Sequence, residues 1–277
     1  MRMAVIIPAY GLHQITQAAV SDVAREDTAG RHDIDCIVVD NQGGYEPLGR
    51  EEVLRPGHNL GWLDGTNLGW NKALETGYDA YVLMNNDVRL SPGFFAGLSR
   101  AQRLTGAGMV APAYDSWLAH QRLPLDGPID EYKPRRVHWR ANWVDGTCLF
   151  LPAETVAKVG TFDPAFNPHG WGCEVDYSFR VWDAGLHVVI TALAFLHHES
   201  EATAKQVHGN VVTYQDEALM TAGQVLRTKY ELNELSRRDG LDWAIRNTYA
   251  PSERRRLLDT VTLETRGRLG LRIPARI

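Results

Sequence analysis

With 277 residues, 44% of them hydrophobic, the chain can bury a sizeable core as one large domain or as a domain plus an appendage. A formal net charge of −5 removes any general electrostatic reason for a polyanionic partner, so nucleic acid is not expected. Three scattered cysteines, Cys36, Cys148 and Cys173, suggest neither a zinc site nor a disulfide framework and fit a reducing cytoplasm, while no apolar run approaches the length of a membrane span.

Short runs rich in Val and Ile alternate with longer amphipathic stretches, the pattern of strands joined by helical crossovers. In chain order this predicts strands at 4–8, 34–40, 80–84, 109–111 and 143–151, and helices at about 13–26, 66–76, 92–103, 153–158 and 174–184. The segment from Tyr114 to Arg140, with three prolines and no clear period, reads as a long surface excursion. From about residue 203 the sequence is charged and helical in character.

Open α/β sheets bind ligands at the carboxyl ends of their strands, so polar residues that follow apolar runs are the candidates for a site. Asp40, after Ile37-Val38-Val39, suits hydrogen bonding to a base or ribose, or simply closes a turn. Asp87, after Tyr81-Val82-Leu83-Met84 and the amides Asn85 and Asn86, is a candidate ligand for a hard cation. Val175, Phe179, Trp182 and Leu186 form an apolar stripe that leaves Glu174 at a helix N-terminus, where the dipole favours a carboxylate. This position suits a general base. Asp176 is second in line, because Arg180 stands at i+4 and can pair with it.

The ordered segments Val5-Ile6-Ile7-Pro8-Ala9-Tyr10, Val38-Val39-Asp40-Asn41, His58-Asn59-Leu60-Gly61 through Asn67, Leu83-Met84-Asn85-Asn86-Asp87 and Val159 to Arg180 closely resemble family 2 glycosyltransferases of the GT-A fold. The similarity, over about residues 3–200, is strongest to their rhamnosyltransferase-like and galactofuranosyltransferase-like branch. It implies a mixed, mainly parallel α/β sheet flanked by helices, with a catalytic domain at 1–202 and a helical extension at 203–277. Within the catalytic domain, a nucleotide-sugar half would cover about 1–111 and an acceptor half about 112–202.

Carried over by position, the resemblance places Pro8, Ala9, Tyr10, Asp40, Asn59, Gly61, Asn67, Asn86 and Asp87 around a UDP-, dTDP- or GDP-sugar. Asp87 matches the last, metal-binding acid of the Asp-x-Asp motif, whose earlier acid is Asn85 here. Glu174 falls at the catalytic acid, with Cys173 in place of the preceding Glu. In Ala194-Phe195-Leu196-His197-His198, the resemblance pairs His197 with Asp87 on Mn2+ or Mg2+, His198 being the alternative if the register slips by one. Trp171, beside the proposed base, is the candidate acceptor contact.

These assignments imply direct displacement with inversion, Glu174 taking the proton of an acceptor hydroxyl. Two other classes compete. A nucleotidyltransferase would need a glycine-rich signature with basic residues after the first strand, where Ala9-Tyr10-Gly11-Leu12-His13 has no Lys or Arg; a non-catalytic nucleotide-sugar-binding protein of the same fold stays open through the departures at Asn85 and Cys173. From Arg246 to Ile277 the chain has eight arginines against three acids, which reads as a docked helix or as a basic foot for an anionic membrane presenting a lipid-linked acceptor.

Overall fold

The computed structural model describes residues 1–27, 33–116, 120–199 and 211–231. Its strands are β1 (Arg2–Ala9), β2 (Asp33–Asp40), β3 (Glu51–Leu54), β4 (Ala80–Met84), β5 (Val88–Leu90), β6 (Met109–Tyr114), β7 (His138–Ala141), β8 (Cys148–Pro152) and β9 (Val188–His198). Its helices are α1 (His13–Asp27), α2 (Gly61–Thr76), α3 (Phe94–Thr105), α4 (Ala153–Val159), α5 (Cys173–Asp183) and α6 (Val211–Lys229).

The nine strands of the described residues belong to one sheet, ordered β3-β2-β1-β4-β8-β6-β9-β5, with β7 also on β9. The first four run parallel, and β1 and β4 are buried on both faces, which is why they read as unbroken apolar runs. β8 is antiparallel to both β4 and β6, so β6, and β9 beside it, regain the direction of β4. The carboxyl ends of β1, β2, β4, β6 and β9 therefore open on one edge, together with the residues that lead into β5 and β8.

β9 is a single strand where the sequence shows two apolar runs. A register shift against β6, between Pro112 and Ala113, absorbs the extra residues around Ala192 and Leu193, and Thr191 Oγ1 accepts the Leu193 N–H at the bulge. β7 pairs with the first part of β9 and β5 with the last, so the excursion from Tyr114 to Arg140 contributes a strand after all.

α2 begins at Gly61, earlier than its periodicity predicts, because Gly61 and Gly65 lower the helical signal. Close packing requires two of its glycines. A Cβ on Gly65 would lie 2.7 Å from Asn41 Nδ2, and one on Gly69 would lie 2.7 Å from Ile6 Cγ2. The strand expected at 143–151 starts only at Cys148, because Asp145 Oδ1 accepts the Thr147 N–H and turns the chain before it. α5 is buried beyond its expected stripe, with Cys173, Asp176, Tyr177, Ser178 and Val181 also covered. No helix among the described residues is long and apolar enough to cross a membrane. The arginine-rich stretch 246–277 lies outside the described residues.

Candidate functional site

The carboxyl edge gathers most of the residues singled out in the sequence. Pro8 and Ala9 end β1 buried, with Tyr10 half-buried beyond them. At the end of β2 the buried Asp40 accepts the Gly43 N–H at 2.8 Å and the Tyr45 N–H at 3.0 Å, with Arg55 Nε at 3.7 Å. Its carboxylate thus holds the turn after β2, the plainer of the two roles open to it. Asn41 accepts the Leu60 N–H and donates to the Gly61 carbonyl, tying that turn to the start of α2. Asn59 is exposed and accepts the Gly61 N–H. Asn67 faces inward and donates to the Phe162 carbonyl at 3.1 Å, so it joins α2 to the segment before α5 rather than lining the edge.

After β4, Asn85 Oδ1 accepts the Trp62 indole N–H at 2.8 Å, and its backbone N–H reaches the Thr147 carbonyl. Asn86 is buried and donates to Thr16 Oγ1 at 3.0 Å, which makes it a brace to α1. Asp87 is also buried, and its Oδ1 lies 3.2 Å from Nε2 of His198.

His198, not His197, is therefore the histidine brought to Asp87. Asp87 lies in the bend just before β5, outside its alternation, and adjacent residues of β9 point to opposite faces, so with His198 at Asp87 its neighbour His197 faces away. There its Nδ1 hydrogen-bonds Asp115 Oδ2, while Asp115 Oδ1 accepts the His198 backbone N–H at 3.2 Å. Burial pulls the His198 pKa down, but the hydrogen bond and charge of Asp87, helped by Asp145 and Asp115, outweigh it and the net shift is upward.

Glu174 stands at the first turn of α5, half-buried, with Gly146 beside it: a Cβ on Gly146 would be in ordinary contact with Glu174 Cβ at 3.5 Å and with Trp62 Cη2 at 3.5 Å. Gly146 thus lies between Glu174 and the Trp62 ring whose indole N–H bonds Asn85. Burial, reinforced by the charge of Asp145, pushes the Glu174 carboxyl up to about 8. Cys173 beside it is fully buried and its thiol is held well above its usual range by desolvation, which makes it an inert group.

Asp176 is elsewhere. It is fully buried and accepts Arg180 Nε at 2.8 Å and the Tyr230 hydroxyl at 2.8 Å, with Lys229 Nζ at 2.6 Å. A carboxylate enclosed by two cations and a hydroxyl is an anchor, and the assignment of Asp176 as an alternative base is corrected accordingly. Trp171 is half-buried at the same junction, edge-on to Tyr214 of α6 at 6.2 Å between ring centroids.

Asp115, Asp145 and Trp62 were not assigned roles from the sequence. Asp115 follows β6, Asp145 precedes β8 and Trp62 lies in the first turn of α2, so no local spacing links them; Asp145 accepts the Tyr114 hydroxyl from β6 at 2.9 Å and influences both Glu174 and His198.

Sheet order, crossovers and a polar site on the carboxyl edge define a GT-A fold. Among solved structures, the TarS fragment 1–349 of S. aureus superposes with a TM-score of 0.56 at 11% identity, covering 96% of this chain and 81% of that one. GalNAc-T7, solved with UDP, GalNAc and Mn2+, superposes with a TM-score of 0.53 at 15% identity over 72% of this chain and only 44% of that one. No protein-family model matches the sequence. Over 206 residues the chain is 33% identical to the uncharacterized proteins Rv1525 and MT1576 of Mycobacterium tuberculosis and Mb1552 of Mycobacterium bovis, across 74% of this chain and 77% of each relative. The chain belongs to the family of these mycobacterial proteins.

Proposed function

We propose that this chain is an inverting, metal-dependent family 2 glycosyltransferase that moves a hexosyl or deoxyhexosyl group from a UDP-, dTDP- or GDP-sugar to an acceptor hydroxyl. The observation that carries this reading is the pairing on one edge of a desolvated carboxyl, Glu174, with a carboxylate–imidazole pair, Asp87 and His198. The solved GalNAc-T7 complex, with its UDP, GalNAc and Mn2+, supports the same use of the fold.

The residues fit a divalent cation. One hard oxygen, of Asp87, and one imidazole nitrogen, of His198, stand close together, two further carboxylates, Asp115 and Asp145, lie near enough to act on the imidazole, and no group of three or more metal-binding side chains forms among the described residues. Two protein ligands leave positions for a diphosphate and water, as Mn2+ or Mg2+ sites of nucleotide enzymes do. Bound there, the ion would neutralise charge on the departing diphosphate. Asp87 and His198 would hold it, Tyr10 and the turn fixed by Asp40 and Asn41 would border the nucleotide, and Trp62 would fix Asn85 beside the sugar.

Glu174 takes the proton of the attacking hydroxyl. Its raised pKa gives a carboxylate basic enough for that transfer, and it starts from the first turn of α5 beside Gly146. Trp171 would border the acceptor.

Incubating the purified chain with UDP-, dTDP- and GDP-sugars and Mn2+ tests the proposal. Release of nucleoside diphosphate, lost with EDTA and in Asp87→Ala, is the expected result. Binding without turnover of any donor would point to a non-catalytic nucleotide-sugar-binding protein, and neither binding nor turnover would overturn the reading.

A further inference from the structure

α6 reaches back onto the segment that carries Glu174, through contacts of three kinds. The first is steric. Gly172, the residue before α5, has φ +85°, and a Cβ there would lie 2.9 Å from Ala222 Cβ and 3.5 Å from Leu226 Cδ1, so α6 rests directly on the backbone that leads into the base. Ala222 and Leu226 are buried in that contact.

The second is electrostatic. Lys229 Nζ lies 2.6 Å from Asp163 and 2.6 Å from the fully buried Asp176, and Tyr230 donates its hydroxyl to the same Asp176 oxygen at 2.8 Å. The other Asp176 oxygen takes Arg180, whose guanidinium also donates to the carbonyls of Val159 and Thr161. The third is aromatic: Tyr214 meets both His169 and Trp171 edge-on, and Tyr230 meets Phe179.

A buried carboxylate keeps its place only while its partners are present. Asp176 shares the first turn of α5 with Glu174, so whatever fixes one fixes the other.

We propose that α6 is part of the catalytic unit, with Lys229 and Tyr230 acting as positioning residues that hold Glu174 against Gly146 through Asp176. This rests on the reading of Glu174 as the base. Without the latch, the first turn of α5 relaxes and water reaches Glu174. The charged or titratable groups facing Asp176 are Arg180, Lys229, Tyr230 and Cys173, with Asp163 on the far side of Lys229, and those facing Glu174 are Cys173 and Asp145.

The test needs no donor. Urea unfolding of the full chain and of Glu174→Gln is followed from pH 5 to pH 9, because a carboxyl that folding keeps protonated makes the native chain lose stability relative to Gln as pH rises. The same pair is then compared in Lys229→Met, Lys229→Arg and Tyr230→Phe. The proposal expects the pH-dependent advantage of Gln to be lost in Lys229→Met, reduced in the milder Tyr230→Phe, and kept in Lys229→Arg. An advantage that persists unchanged in both Lys229→Met and Tyr230→Phe overturns the positioning role and leaves the base reading standing. If the advantage is absent from the otherwise native chain, Glu174 is not desolvated, and the base reading falls together with the latch.

Discussion

A group that removes a proton from a sugar hydroxyl must be ionised at working pH and still basic enough to hold the proton, and a carboxyl pushed up to about 8 meets both demands in weakly alkaline solution. Turnover should therefore rise with pH through about 8, a dependence that Glu174→Gln abolishes while lowering kcat at least about a hundredfold and leaving donor affinity nearly unchanged. Steady-state kinetics across pH checks both, and a Gln variant that retains native kcat sinks the assignment. The same side chain destabilises the fold. Its folded pKa lies above the ordinary value of 4.5, so its contribution is most favourable below pH 4.5 and is lost as pH climbs to about 8; Glu174→Gln should be the more stable chain at pH 8. Asp176 stabilises the fold through its buried ion pairs. Asp176→Asn leaves Arg180 and Lys229 without their buried counter-charge and should cost about 3–5 kcal/mol in urea unfolding, the scale for breaking a buried pair.

At the scale of elements, β9 decides which histidine faces Asp87. His198 Nε2 lies 3.2 Å from Asp87 while His197 is turned to Asp115, so His198→Ala should weaken Mn2+ dependence by at least about tenfold, whereas His197→Ala leaves it near native; titrating activity with Mn2+ separates the two. The choice was not legible in the sequence, because adjacent histidines differ only in register and register is set by pairing with β5. β5 itself, Val88-Arg89-Leu90, is too short and mixed to announce a strand, and so is β3, Glu51-Glu52-Val53-Leu54. By contrast β1, β2 and β4 were legible because strands buried on both faces must be continuously apolar. Glu174 was visible as a first-turn acid, and Arg180 as its neighbour's partner, since both relations are local to one helix. Lys229 and Tyr230 were not, since tertiary folding alone brings α6 to Asp176. In α2, Gly69→Ala tests how tightly the helix sits: overpacking against Ile6 and Val39 should cost about 1–3 kcal/mol, more than the roughly 1 kcal/mol that the better helix former returns.

For the whole molecule, the important strand is β8. It pairs with β4 over Ala80 to Met84 on one side and meets β6 at Val110 on the other, so the region proposed to hold the nucleotide sugar and the region proposed to hold the acceptor share one sheet. The core follows the sheet across that join: Val5, Leu83, Phe150, Val110 and Ile190 lie in one continuous buried cluster. Two halves that share a core cannot unfold separately without exposing the apolar surface of whichever half remains, and that cost makes the transition cooperative. The sheet should accordingly melt in a single step, with far-ultraviolet dichroism reporting the backbone and near-ultraviolet dichroism reporting Trp62, Trp70, Trp143 and Trp182, which lie on both sides of the join. Ligand linkage sharpens the test. UDP with Mn2+, supplied at about a hundred times its dissociation constant, should stabilise the folded chain by about 2.7 kcal/mol and move both signals together, although the ligand touches only one region. Two separated transitions, with only the nucleotide-side signal moved by UDP, would show that β8 joins independently folding halves.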